Sequence, residues 1–196
     1  MTSTREIIIG IYGAWRLLLL DRSALRLFDV TIAGFWKSFY AALVVLPFVI
    51  IVQVMIVSVF PDEINQAPTV RSMMVFAIDY VYQWTVFPLV MIYLAEIMAR
   101  NGQYTTFIVA RNWAHAVQIV IFLPAAIFVA IVGADNPDLA RMIILAAYVA
   151  AWAYEWFIAR TALEISGSAA TVIVLISIAI SFGISRFSQA LVMNGA

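Results

Sequence analysis

Five long apolar runs limit most strongly what this chain can fold into. A bilayer core of about 30 Å is crossed by about 20 apolar residues in helical form. Runs of roughly this length, with few or no charges, occur at 39–60, 72–97, 113–132, 142–158 and 169–185. Because 65% of the 196 residues are hydrophobic and only 11% are charged, the chain cannot cover a soluble fold with polar groups. The prediction is an all-α polytopic membrane protein in which residues 36–196 form a bundle of five transmembrane helices.

The N-terminal region, residues 1–35, has a different pattern. Its apolar run at 7–20 is too short to span a bilayer and contains Arg16. A turn of about 100° per residue gathers most of its apolar side chains on one half of a helix: Ile7, Ile8, Ile11, Tyr12, Trp15, Leu18 and Leu19. The other half holds the polar and glycine positions: Arg5, Glu6, Gly10, Gly13, Arg16 and Asp21. We therefore expect a cytoplasmic amphipathic helix in the membrane interface, followed by a short segment at 23–29.

A cleavable signal peptide is the alternative for the same region. Arg16 interrupts the apolar run, and no clear small-residue cleavage site follows it. Both features disfavour a signal peptide.

Basic residues are distributed unequally between the two sides that five spans would create. Eight lie on the N-terminal side: Arg5, Arg16, Arg22, Arg26, Lys37, Arg100, Arg111 and Arg160. The other side has three basic residues together with acidic loops: Arg71, Arg141 and Arg186, then Asp62, Glu63, Asp135 and Asp138. The positive-inside rule therefore predicts a cytoplasmic N-terminus and an external C-terminus.

Several kinds of chemistry are missing from the sequence. The chain has no cysteine and one histidine, which excludes disulfides, thiolate metal sites and multi-histidine metal centres. It has no glycine-rich phosphate loop, no G-x-S-x-G elbow and no H-E-x-x-H motif. The net charge of zero argues against nucleic-acid binding. We expect a non-enzymatic protein without a cofactor.

Polar residues near the inner leaflet form one candidate site. A charge at the bilayer centre costs on the order of 2.5–3.5 kcal/mol, so each charge in an apolar run needs a reason. Seven residues are predicted to gather in an inner polar cluster: Glu96, Arg100, Arg111, His115, Gln118, Glu155 and Arg160. Such a cluster could relay protons or bind a lipid headgroup or polar ligand. Interhelical pairing, with arginines that reach the interface, is the favoured interpretation.

Two further features concern the second and fifth runs. Asp79 lies about 10 Å into its run, and Arg186 is expected at a similar depth, so the sequence predicts an interhelical pair between them. The fifth run also carries polar residues at four-residue intervals: Ser177, Ser181, Ser185 and Gln189. Such a stripe lets another helix approach closely, and a pore lining is the alternative.

The stretch GAWRLLLLDRSALRLFDVTIAGFWKSFYAALVVLPF is similar to the openings of uncharacterised, chiefly alphaproteobacterial membrane proteins. Together with the five closely spaced spans, it resembles the Yip1-type small membrane proteins. The D-L-Y-G-P motif of the eukaryotic members is absent, so the resemblance implies no site residue. It implies a non-enzymatic protein of a bacterial cytoplasmic membrane that acts through lipids or protein partners.

Two functions follow as expectations. The favoured one is an interaction, scaffold or accessory subunit, either as a homo-oligomer or within a larger membrane complex. The alternative is a small oligomeric transporter or channel that uses Asp79, Glu96 and Glu155. Five helices of this size hardly enclose a path alone, so transport would require an oligomer.

Overall fold

A computed structural model describes residues 3–60 and 70–193 of the chain, without the side chains at 71, 72, 189 and 191–193. The described residues form seven α-helices and one short 3-10 helix, with no strand among them. In chain order these are α1 (Thr4–Leu18), the 3-10 helix (Arg22–Leu27), α2 (Ile32–Ser38), α3 (Tyr40–Val59), α4 (Val70–Ile97), α5 (Asn101–Val132), α6 (Pro137–Ala162) and α7 (Gly167–Met193). The acidic loop residues Asp62 and Glu63 and the side chain of Arg71 lie outside the described part.

The prediction of five long apolar helices is confirmed. Five helical stretches are long and apolar enough to cross a membrane, and α2 and α3 together make the first of them, Ile32–Val59. The predicted start of the third apolar helix, at Trp113, was wrong, because α5 begins twelve residues earlier at Asn101. The polar residues in this added part hide it from a hydropathy scan, although Arg111 and Asn112 are buried against other helices. At 1.5 Å per residue, α5 is about 48 Å long.

Helix α5 is the centre of the fold. It packs against α1, α2, α3, α4 and α6, and α7 lies between α4 and α6. Its residues Phe107, Ile108 and Ala110 are fully buried. Helices α4 to α7 therefore surround a common interior, while α1, α2 and α3 cover the outer side of α5.

The N-terminal helix begins with a capping box. The Ser3 hydroxyl accepts a hydrogen bond from the Glu6 backbone N–H, and the Glu6 carboxylate accepts one from the Ser3 N–H. Each bond satisfies a backbone donor that a helix start leaves free. This cap fixes the helix start a few residues before the apolar run.

Helix α1 docks on the bundle through the half of the helix that sequence periodicity assigned as polar. Gly10, Gly13, Ala14 and Leu17 are buried, and a Cβ on Gly10 would lie 2.5 Å from the Trp113 ring of α5. Only glycine allows this close approach. The predicted apolar half is largely exposed outside the bundle, as at Ile8, Tyr12 and Leu19.

Polar contacts hold α1 in place. The Tyr154 hydroxyl of α6 donates to the Ala14 carbonyl at 2.6 Å, and the Lys37 ammonium of α2 lies 2.6 Å from the Glu6 carboxylate. The hydrogen bond from Lys37 is the largest cause that lowers the pKa of Glu6, and the Ser3 N–H adds to it. A cavity of about 30 Å³ lies beside this ion pair, between α1, α2 and α5.

Candidate functional site

Four helices each contribute one side chain to a buried network in the interior of the bundle. Its members are Phe87 of α4, Arg111 of α5, Glu155 of α6 and Ser177 of α7. The side chains of Arg111 and Glu155 are only 8% and 9% exposed. We call this set the four-helix network.

Three hydrogen bonds join Arg111, Glu155 and Ser177 in a triangle. Arg111 donates from Nε to Glu155 Oε1 at 2.8 Å and from Nη2 to Ser177 Oγ at 3.3 Å. Ser177 Oγ donates in turn to Glu155 Oε1 at 3.0 Å. The guanidinium carbon of Arg111 lies 3.9 Å from the centre of the Phe87 ring, within the range of a cation–π interaction. The two opposite charges and the hydroxyl therefore satisfy one another inside the bundle.

The positions of these residues in their helices explain why they meet. Arg111 and Ser177 each lie ten residues after the start of their helix, and Glu155 lies seven residues before the end of α6. At 1.5 Å per residue, these distances are about 15, 15 and 10 Å. Consecutive long helices run in opposite directions, so the starts of α5 and α7 lie at the same end of the bundle as the end of α6. The three side chains thus reach one level of the interior.

Of the seven residues predicted to form the inner polar cluster, the structure brings Arg111 and Glu155 into contact. His115 and Gln118 form a separate pair on α5, with 3.0 Å between His115 Nδ1 and Gln118 Oε1. The His115 ring also lies against Trp84 of α4, with 5.1 Å between the ring centres.

The other three members of the predicted cluster lie toward the surface. Arg100 reaches Glu164 at 4.0 Å and does not pair with Glu96, an exposed residue. Helix α4 ends at Ile97 and the chain turns at Ala99, which has a φ of 55°, so Glu96 and Arg100 do not lie on one helix. Arg160 is exposed, and its guanidinium lies 5.3 Å from the centre of the Trp156 ring.

The structure does not form the predicted ion pair between Asp79 and Arg186. Asp79 accepts a hydrogen bond from Ser188 at 2.9 Å, and this bond links α4 and α7. Two residues on a helix differ by about 200° in direction, so Arg186 points away from the side of α7 that bears Ser188. The Arg186 guanidinium lies over the Phe182 ring, with 5.1 Å to its centre.

The predicted stripe on α7 serves more than one purpose. Ser177 is buried in the four-helix network, whereas Ser181 and Ser185 are half-buried. The side chain of Gln189 lies outside the described residues. Sequence reasoning assigned Ser177 to helix packing, although its level on α7 matches that of Arg111 on α5. Nothing in the sequence signalled the contribution of Phe87.

A second buried polar contact was not predicted. Asn112 of α5 donates from Nδ2 to Ser38 Oγ at 2.8 Å, and Ser38 Oγ donates to the Phe35 carbonyl at 2.7 Å. Asn112 Oδ1 is buried and has no hydrogen-bond partner among the described residues. This contact fixes the end of α2 to the middle of α5.

The described residues contain no group of three or more histidine, cysteine or acidic side chains that could hold a metal ion. Arg111 and Glu155 form a salt bridge with each other, so the four-helix network connects the helices of the bundle. No protein-family model, curated protein or solved structure matches this chain.

Proposed function

We propose that the chain is a non-enzymatic, multi-pass integral membrane protein that acts as an interaction, scaffold or accessory subunit. It resides in a bacterial cytoplasmic membrane with its N-terminus in the cytoplasm and its C-terminus outside. Its partners are membrane lipids and either further copies of itself or a larger membrane complex.

The outer surface supports residence in a membrane. Large apolar side chains are exposed on several of the long helices, including Leu43 at 65%, Tyr93 at 70% and Phe182 at 62%. Soluble proteins rarely expose contiguous apolar surface on this scale. Helices with apolar outer faces suit a lipid environment, because a helix satisfies its backbone hydrogen bonds internally.

The charge distribution supports the orientation. Because Arg111 is buried within α5, it no longer counts as a loop residue. Seven basic residues then remain on the N-terminal side and three on the other. The bias required by the positive-inside rule is retained.

The closed four-helix network is the observation that carries the proposed role. Arg111 and Glu155 neutralise each other, and Ser177 bonds to both. Polar groups paired in this way bind helices to one another. The polar interior is thus used to build a fixed bundle, and the exposed helix faces remain for contact with lipids and partner helices.

Transport by an oligomer is the second candidate. Ionisable residues inside membrane helices commonly mark ion or proton pathways. Asp79 favours this function because its hydrogen-bond partner is the neutral Ser188, and it forms no ion pair with any described residue.

The purified protein allows both functions to be tested, the first by its mass and partners and the second by flux in proteoliposomes. We expect the protein to stay in membranes washed with alkaline carbonate and to elute in mild detergent with a protein mass above the 21.8 kDa of one chain. Light scattering gives that mass, and mass spectrometry identifies the co-purifying proteins and lipids. A pure single-chain particle would contradict the scaffold role. Proton or ion flux in proteoliposomes that is lost on Asp79→Asn, but kept in Ser58→Ala, would establish transport instead.

A further inference from the structure

An exposed apolar stripe runs along α1. Its members are Ile8, Tyr12, Trp15 and Leu19, which are 61%, 54%, 39% and 64% exposed. Their spacing of four, three and four residues places them on one face, opposite the glycine face that docks on α5. Helix α1 is thus held by the bundle on one side and presents large apolar side chains on the other.

A second exposed stripe runs along α2 and continues into α3. Ile32, Trp36, Tyr40 and Leu43 are 81%, 66%, 41% and 65% exposed. These four residues lie in the first part of the first apolar span, Ile32–Val59. Tryptophan and tyrosine prefer the headgroup level of a bilayer, so Trp36 and Tyr40 put α2 at the membrane border.

Basic residues next to these stripes are not all neutralised by the protein. Lys37 pairs with Glu6, and Arg16 pairs with Asp21. Arg22 and Arg26 of the 3-10 helix are exposed and form no ion pair with any described residue. The same 3-10 helix is fixed to the core through Ala24, which is fully buried.

The two arginines lie on either side of the buried Ala24. A 3-10 helix has three residues per turn and rises about 2.0 Å per residue, so Arg22 and Arg26 point about 120° apart and their backbones are about 8 Å apart along the axis. Each exposed guanidinium can donate two parallel hydrogen bonds to a phosphate. The segment 19–20 that precedes them is apolar and exposed, with Leu19 at 64% and Leu20 at 66%.

We propose that Arg22 and Arg26 bind the phosphates of anionic phospholipids whose acyl chains lie against the apolar stripe of α1. This inference rests on the membrane residence proposed above and adds a lipid class and a site to it. A free phosphate would use only the two guanidinium groups. A phospholipid also covers the exposed apolar stripe beside them, so the lipid is the occupant that fits both features.

Native mass spectrometry of the full chain in neutral detergent tests the site. Phosphatidylglycerol and phosphatidylcholine with the same acyl chains are titrated in parallel. We expect the chain to prefer phosphatidylglycerol and the Arg22→Gln/Arg26→Gln variant to bind it about thirtyfold more weakly. Arg22→Lys/Arg26→Lys keeps both charges and is expected to retain most of the affinity. The matched control is Arg160→Gln, which removes an exposed arginine stacked on Trp156 and is expected to leave binding unchanged.

Several results would overturn the site. These are equal binding of the two lipids, unchanged binding by the double glutamine variant, or the same loss in Arg160→Gln. If glycerol phosphate displaced the lipid at equal concentration, the site would belong to a free organic phosphate. If the double variant did not fold, Arg22→Gln and Arg26→Gln alone are each expected to lose about fivefold. A protein that resists carbonate extraction but shows no lipid preference contradicts only this inference and leaves the proposed function standing.

Discussion

We predict that removing one partner of the ion pair between Arg111 and Glu155 lowers the stability of the protein more than removing both partners does. Glu155→Gln leaves the Arg111 charge without its counter-charge, and the Arg111 side chain is only 8% exposed. An uncompensated buried charge of this kind costs about 3–5 kcal/mol. Since about 1.4 kcal/mol is a factor of ten, the unfolding equilibrium should shift by roughly a hundredfold to several thousandfold.

Removing the whole network should be much milder. Arg111→Met with Glu155→Leu exchanges the pair for apolar side chains of similar length, a change that is often neutral or stabilising by about 1–4 kcal/mol. The Ser177 hydroxyl would then lose both partners, at about 1–3 kcal/mol. Adding Ser177→Ala removes that group, so the triple variant is expected to be at least as stable as the natural chain.

The assay is a titration with SDS in mixed micelles, followed by the far-ultraviolet circular dichroism of the helices. Glu164→Gln is the matched control, because Glu164 is 68% exposed and lies 4.0 Å from Arg100. It should change stability by less than about 1 kcal/mol. The reasoning is refuted if the triple variant is as unstable as Glu155→Gln, since desolvation of an unpaired charge could not then be the cause.

Other contacts give further expectations. Gly10→Ala should destabilise the docked α1, because the overpacking of a Cβ 2.5 Å from a buried tryptophan ring costs about 1–3 kcal/mol. Gly102→Ala in the first turn of α5 is the matched control: its added Cβ meets nothing within 4 Å, so stability should not fall in the same SDS titration. Ser188→Ala removes the hydrogen bond to Asp79 and should lower stability by about 1 kcal/mol, and an unchanged midpoint would show that this bond contributes nothing. The pKa of Glu6 is lowered from 4.5, so its stabilisation of α1 is present above pH 4.5 and is lost as the pH falls through the lowered pKa. Limited proteolysis of α1 should therefore increase on acidification, and Glu6→Gln should remove that dependence.

Hydropathy alone was enough to predict the five long helices, because each needs a run of apolar residues that few soluble helices contain. It failed at the start of α5, where a scan reads Arg111 as a loop residue. The burial of Arg111 depends on Glu155, which is 44 residues away in sequence. A window along the chain contains no information about a partner at that separation.

The face by which α1 docks on α5 could not be predicted for a different reason. Periodicity assigns glycine to the polar half because it has no apolar side chain, yet Gly10 is the position where the helix approaches Trp113. Close packing through small residues is invisible to a hydrophobicity pattern. The link between α4 and α7 was predicted, but its partner was not, since Ser188 and Arg186 differ by only two positions and point in different directions.

The docking of α1 on α5 also sets an order of events during synthesis. Gly10 precedes Trp113 by 103 residues, so a ribosome adding about 5–20 residues per second makes α1 roughly 5–20 seconds before its docking surface exists. During that interval the helix has no bundle to dock on, whereas its capping box, formed by Ser3 and Glu6, needs only residues of its own first turn. Tyr154 of α6, which donates to the Ala14 carbonyl, is made later still. A delay at residues 101–113 would prolong the time that the glycine face remains uncovered.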